Sequence, residues 1–156
     1  MGAEYLSLPD LEYPVPPTPP GAIELIVHDD PVAMPRPRVM LRQGRPHAYV
    51  PTHASAAMWR IRQAAAEALG QRPPLLGPVE VLVEVFLHPP ASLPKKMRGH
   101  AQPTKRPDAD NFGKTACDGC SPLWGDDSQI VDLRIVKRYA WNQPPHWRIV
   151  VRELAE

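Results

Sequence analysis

Between residues 103 and 130 the chain reads PTKRPDADNFGKTACDGCSPLWGDDSQI, with Asp108, Asp110, Asp118, Asp126 and Asp127 gathered around Lys114. Like charges at short range repel, and a domain that keeps them together usually has a cation to share between them. Asp108 and Asp110 are two residues apart, so on one helix they would point about 200° apart. Pro107 biases Arg106 away from helix and Asp110 is a natural N-cap. The spacing therefore predicts Asp108 extended at a loop's end and Asp110 at the start of a helix, both facing one point. Lys114 and Asp118 follow at i+4 steps along one helical face. In GDDSQIVDLRIV, Val131, Leu133 and Ile135 share the strand face expected against the helices. Extended backwards, that alternation aims Asp127 at the helix of Asp110 and turns Asp126 away with Asp132 and Arg134.

Asp108, Asp110 and Asp127 are thus the expected ligands, with Asp126 next in order. Oxygen-only donors suit a hard cation such as Mg²⁺, with Mn²⁺ as a substitute. A metal-bound water could then attack a phosphodiester, while Lys114 offsets transition-state charge or helps deprotonate the water. The plainer reading is caps and exposed ion pairs, where a Lys114–Asp118 pair is worth only ~0.3–0.5 kcal/mol. Cys117 and Cys120 make half of a zinc site that His88, His100 or His146 would have to complete, and no second pair has finger-like spacing. The tryptophans Trp59, Trp124, Trp141 and Trp147 are expected chiefly as core anchors.

The elements that must hold these groups follow from periodicity and punctuation. AIELIVHD (22–29) and the alternating VEVLVEVFLH (79–88) predict strands. MPRPRVMLRQGRPHAYVP predicts an extended arm that turns at Gln43-Gly44 and returns, its prolines suited to an edge. THASAAMWRIRQAAAEALG predicts a helix capped by Thr52 and Gly70, with Ala57, Met58, Ile61, Ala65 and Leu69 as its apolar stripe. A long basic loop spans 89–107, and a short helix begins near Asp110 and is broken by Gly119 and Pro122. QIVDLRIVKRYAW and HWRIVVREL are expected to pair as a hairpin around NQPP. The fold class is α+β, a small mixed sheet with two helices packed on one face.

At 156 residues one domain is expected over 21–156, preceded by a proline-rich flexible arm over 1–20. No apolar run approaches the roughly 20 residues of a membrane span, and the arm has no signal-peptide pattern. Two cysteines are too few for a disulfide framework, so the expected location is cytoplasmic. The net charge of +1 hides a segregation: 31–66 and 85–107 contain no acid. They carry Arg36, Arg38, Arg42, Arg45, Arg60 and Arg62, then Lys95, Lys96, Arg98, Lys105 and Arg106. Two such blocks flanking an acid cluster point to a polyanion, with the 36–45 arginines and the 95–106 loop on phosphates.

With Asn111, the run RPDADNFGK…D…GDDSQI closely resembles the signature of the RusA family of Holliday junction resolvases, common in phage and prophage-derived genomes. The likeness extends to PRPRVMLRQGRPHAYVPT and IVDLRIVKR, so most of residues 22–154 is covered. The resemblance implies a Mg²⁺-dependent, homodimeric endodeoxyribonuclease that nicks four-way junction DNA symmetrically in recombination and repair. By position it puts catalytic carboxylates on Asp108, Asp110 and Asp127, the essential lysine on Lys114, a neighbouring acid on Asp126 and the motif's asparagine on Asn111. Two like strands must be cut, which suits a C2 dimer with two identical sites. The chain departs from the family where a Leu/Ala-rich helix is replaced by TACDGCSP, and the arm before residue 21 has no family counterpart. A junction-binding protein with weakened catalysis is the alternative that this altered helix suggests; a zinc-stabilised interaction module is the third.

Overall fold

The computed structural model describes residues 15–155. Six strands and two α-helices follow in the order β1 (Ile23–Val27), β2 (Arg38–Arg42), β3 (Arg45–Tyr49), α1 (Thr52–Leu69), β4 (Val79–Leu87), α2 (Ala109–Gly119), β5 (Ile130–Tyr139) and β6 (His146–Glu153). Four of the strands form a mixed sheet in the order β1-β6-β4-β5, and β2 and β3 form a separate two-stranded sheet. Both helices cover one face of the larger sheet, as the α+β pattern predicts. There Val79, Val81, Val83 and Val85 of β4 join Ile61 and Ala65 of α1, Phe112 and Ala116 of α2, and Trp147 and Ile149 of β6 in one core.

The last two strands do not form the expected hairpin. β4 lies between them, antiparallel to β6 and parallel to β5. A parallel pair needs a crossover, and the loop after β4 together with α2 supplies it. β6 takes the centre because it is buried nearly throughout, whereas β5 is exposed over Val131–Arg134 and sits at the edge. Val131 and Leu133 are accordingly not core residues as expected: they are 62% and 43% exposed, and Ile135 alone of the three packs on the core. A shift in the β4–β5 register between Val79 and Glu80 skips Val131 altogether.

In α1 the N-cap position belongs to Pro51, not Thr52; its carbonyl accepts the Ala54 and Ser55 amides. Gly70 does close the helix, at φ 61°, with its amide on Ala66 O. Gly113, which reads as a breaker, lies inside α2, and Gly119 is its final residue. Their role is close approach: an added Cβ would stand 2.2 Å from Ile135 Cδ1 at Gly113 and 2.7 Å from Ile61 Cβ and Cγ2 at Gly119. The altered TACDGCSP stretch is therefore a packed helix end, with Thr115, Ala116, Cys117 and Cys120 buried.

The opposite sheet face buries charge. Glu84 is fully buried and accepts from Arg138 Nε and Nη2 at 2.9 and 2.8 Å and from Arg148 Nη1 at 2.6 Å. Arg148 Nη2 also donates to Pro16 O and Thr18 Oγ1 at 2.9 and 3.1 Å, tying this part of the proline-rich segment to the sheet. The arm expected over 1–20 lies outside the described residues as far as residue 14.

Two stability outcomes are expected. Glu84→Ala removes the fully buried carboxylate that Arg138 and Arg148 share, leaving Arg148 with Glu24, and should cost ~3–5 kcal/mol in chemical denaturation. Gly119→Ala pushes on the stiff β-branched carbon of Ile61 and should cost ~1–3 kcal/mol. Combining it with Ile61→Ala should cost less than the sum of the two changes, and strict additivity would refute the contact.

Candidate active site

The motif carboxylates are presented by the start of α2. Asp108 is the N-cap residue, extended at φ −74° and ψ 150°, and Asp110 lies in the first turn, so the N-cap falls two residues earlier than the sequence pattern suggests. Lys137 of β5 fixes the approach to this turn, donating from Nζ to Lys105 O and Pro107 O at 3.0 Å each. Asp108, Asp110 and Lys114 are exposed, Asn111 is half-buried, and Thr115 Oγ1 closes the turn on Asn111 O at 3.2 Å. No hydrogen bond or ion pair among the described residues occupies the Asp108 or Asp110 carboxylate. The helix N-terminus lowers the cost of holding two negative charges there.

Asp127 sits elsewhere. Residues Asp127–Gln129 form a 3-10 turn, with Asp126 as its N-cap: Asp126 Oδ1 accepts from Ser128 N at 2.8 Å, and Gln129 Oε1 accepts from Asp126 N at 3.0 Å. The alternation of β5 does not run back through this turn, so parity does not aim Asp127. Its carboxylate is oriented by Trp124 instead, whose indole Nε1 donates to Oδ1 at 2.9 Å. The Ser128 hydrogen bond holds the Asp126 carboxyl below its ordinary range.

Asp127 does face α2, but at its far end. Burial raises the Asp118 carboxyl, the Asp127 charge raises it further, and Lys114 and Arg62 pull it back. The same two acids, after burial, help push the Cys117 thiol up to about 11. Asp118 and Asp127 are thus neighbours at the C-terminal end of α2, while Asp108 and Asp110 stand at its beginning. From Asp110 to Asp118 the helix rises about 12 Å, at roughly 1.5 Å per residue. The expected convergence of Asp108, Asp110 and Asp127 on one ion is therefore not met within one chain. Among the described residues no group of three or more His, Cys, Asp or Glu side chains is placed to hold a metal ion. The donors have the right chemistry for a hard divalent cation, but one chain divides them between two places.

For the zinc alternative, Cys117 and Cys120 are both buried, and among the described residues no third ligand joins them. The basic residues divide as well. Arg36, Arg38, Arg42 and Arg45 are exposed on and beside the β2–β3 hairpin, and Lys95, Lys96, Arg98, Lys105 and Arg106 are exposed along the loop into α2. Arg60 and Arg62 belong to the body instead, the first paired with Asp29 and the second bonded to Ser121 Oγ. Trp124 and Trp147 are core residues as expected, whereas Trp59 is 58% exposed.

This is the architecture and motif of a nuclease family: the chain matches the model described as Endodeoxyribonuclease RusA over residues 29–152, and it belongs to that family. Enzymes of the family depend on divalent metal in general. Among curated proteins, the chain is 32% identical over 144 residues to "Uncharacterized protein YqaN" of Bacillus subtilis (strain 168), covering 85% of this chain and 97% of that one. Among the described residues no helix is long and apolar enough to cross a membrane.

The thiols give a direct check on this end of α2. At pH 8 a thiol reagent should label the native protein roughly a hundredfold more slowly than the unfolded chain, because the thiolate is the reactive form. Fast labelling of both cysteines in the folded state would contradict the packing described.

Proposed function

We propose that the chain is a Holliday junction resolvase that hydrolyses phosphodiesters of four-way junction DNA with Mg²⁺, Mn²⁺ serving as a substitute, in cytoplasmic DNA recombination and repair. The observation that carries this reading is the exposed group of Asp108, Asp110 and Lys114 on the first turns of α2, reached through the basic 95–106 loop. Asp127, held by Trp124, is the third ligand and Asp126 its neighbour. Bound metal would polarise the phosphoryl oxygen and lower the pKa of an attacking water. Lys114 offsets the charge that develops on the phosphate or helps take the water's proton.

The working unit in this reading is a homodimer, and the division of the donors is the argument for it. β5 is an edge strand with Val131 and Leu133 exposed on the helix face, a surface of the kind that pairs with another strand. A two-fold partner across that edge runs its α2 antiparallel to the first. Asp127 of one copy then approaches Asp108 and Asp110 of the other, and each pair of copies completes two sites.

Nicking of a labelled four-way junction should require Mg²⁺ and stop in EDTA, and Asp110→Asn should abolish it while junction binding persists. Binding without nicking at any Mg²⁺ concentration would favour the catalytically weakened junction binder. Complementation tests the shared site. Asp110→Asn and Asp127→Asn are each inactive, but after subunit exchange a mixed dimer keeps one intact site. Nicking should return to about a quarter of the wild-type level. No recovery on mixing would place all three ligands in one chain.

A further inference from the structure

We propose that the β2–β3 hairpin is a wedge whose apolar face enters the base stack at the centre of the junction; this rests on the nuclease reading above and adds to it a DNA-distorting element. The hairpin has two chemically distinct faces. Opposed residues of an antiparallel pair share a face, and the register sets Val39 opposite Ala48 and Leu41 opposite Pro46. The other face carries Arg38 with Tyr49, Met40 with His47 and Arg42 with Arg45. Every residue of both strands is exposed, Leu41 to 75% and Val39 to 68%, so the apolar face has no cover in the described chain.

The hairpin is stiff and its base is fixed. Gln43 and Gly44, at φ 52° and 73°, make a two-residue turn of the type that matches strand twist. At the base Met34 is buried and its amide donates to Asn111 O at 2.9 Å, inside the first turn of α2. Pro51 is buried at the other leg. The wedge is thus anchored to the same helical turn that presents Asp108 and Asp110, so its depth in the DNA would set where the scissile phosphate lies.

Charge selects the occupant. No acid occurs from 31 to 66, so the apolar face is backed by arginines and bordered by no carboxylate. A base stack bordered by phosphates offers apolar surface and negative charge together. A second copy's hairpin would match the apolar face but bring its own arginines, with no acid to meet them. Apolar wedges kink duplexes by unstacking a base step, which costs less where pairing is already interrupted, as at a junction centre.

The test uses a junction with 2-aminopurine at the crossover, titrated in EDTA so that no strand is cut. Wild-type protein should raise the fluorescence severalfold at saturation. Val39→Ser/Leu41→Ser, at fully exposed positions, should bind within about threefold of wild type, because phosphate contacts carry the affinity, yet lose the rise. Arg42→Gln/Arg45→Gln should lose about tenfold in affinity and keep the rise at saturation. A full rise with the apolar-face variant overturns the wedge alone. So does a change in the variant's mass in solution, which would make the face a contact between copies, or a loss of binding to anionic vesicles with the rise intact. Failure of wild type to bind any junction removes the nuclease reading and the wedge with it.

Discussion

The approach of α2 to its neighbours governs the molecule. Gly113 lets the helix lie directly on Ile135 of β5, and Gly119 lets its end abut Ile61 of α1. With both glycines buried, α2 has one rotation and one height relative to the sheet, and a close-packed interior gives it little freedom to choose another. From that seating comes the outward face of Asp110, Lys114 and Asp118, the buried face of Phe112, Ala116 and Cys117, and the separation of two acidic groups by the helix length. With about 12 Å of helix between Asp110 and Asp118, the described residues bring no three carboxylates together. In the proposed homodimer another copy of the chain closes the site.

Electrostatics divides the protein in a related way. On the sheet's back, Glu84 gathers Arg138 and Arg148, so those arginines are spent on the fold. Arg60 and Arg62 are likewise tied to Asp29 and Ser121. The basic residues left exposed without acidic neighbours in sequence are those of the hairpin and of the loop into α2. In the proposed function this is the positive charge that the fold leaves for a phosphate backbone.

Local pattern made much of this legible. The alternation of β4, the alanine-rich α1 ending at Gly70, and the Gln43-Gly44 turn are short-range signals, and each element forms where its signal lies. Strand order is not a short-range property. Nothing within QIVDLRIVKRYAW says that its partner is β4, although its interleaved Asp132, Arg134, Lys137 and Arg138 suit an edge, while the apolar centre of HWRIVVREL suits burial on both faces. Asp127 was misplaced for a local reason with a local signal: Asp126-Asp127-Ser128-Gln129 has capping-box spacing, which starts a turn and cancels strand parity. Gly113 and Gly119 look like breakers because sequence does not display the helix and strand that press on them. Trp124 as the support of Asp127, and the Met34 anchor on Asn111, are tertiary contacts with no sequence signature.

The claim on which the account turns is that a metal ion is held between copies. Diffraction from crystals soaked in Mn²⁺, recorded for the anomalous signal of manganese, locates the ion directly. The account predicts a peak about 2.1–2.2 Å from carboxylate oxygens of Asp108 and Asp110 in one copy and of Asp127 in another. A peak ligated by Asp108, Asp110 and Asp127 of a single chain would contradict it.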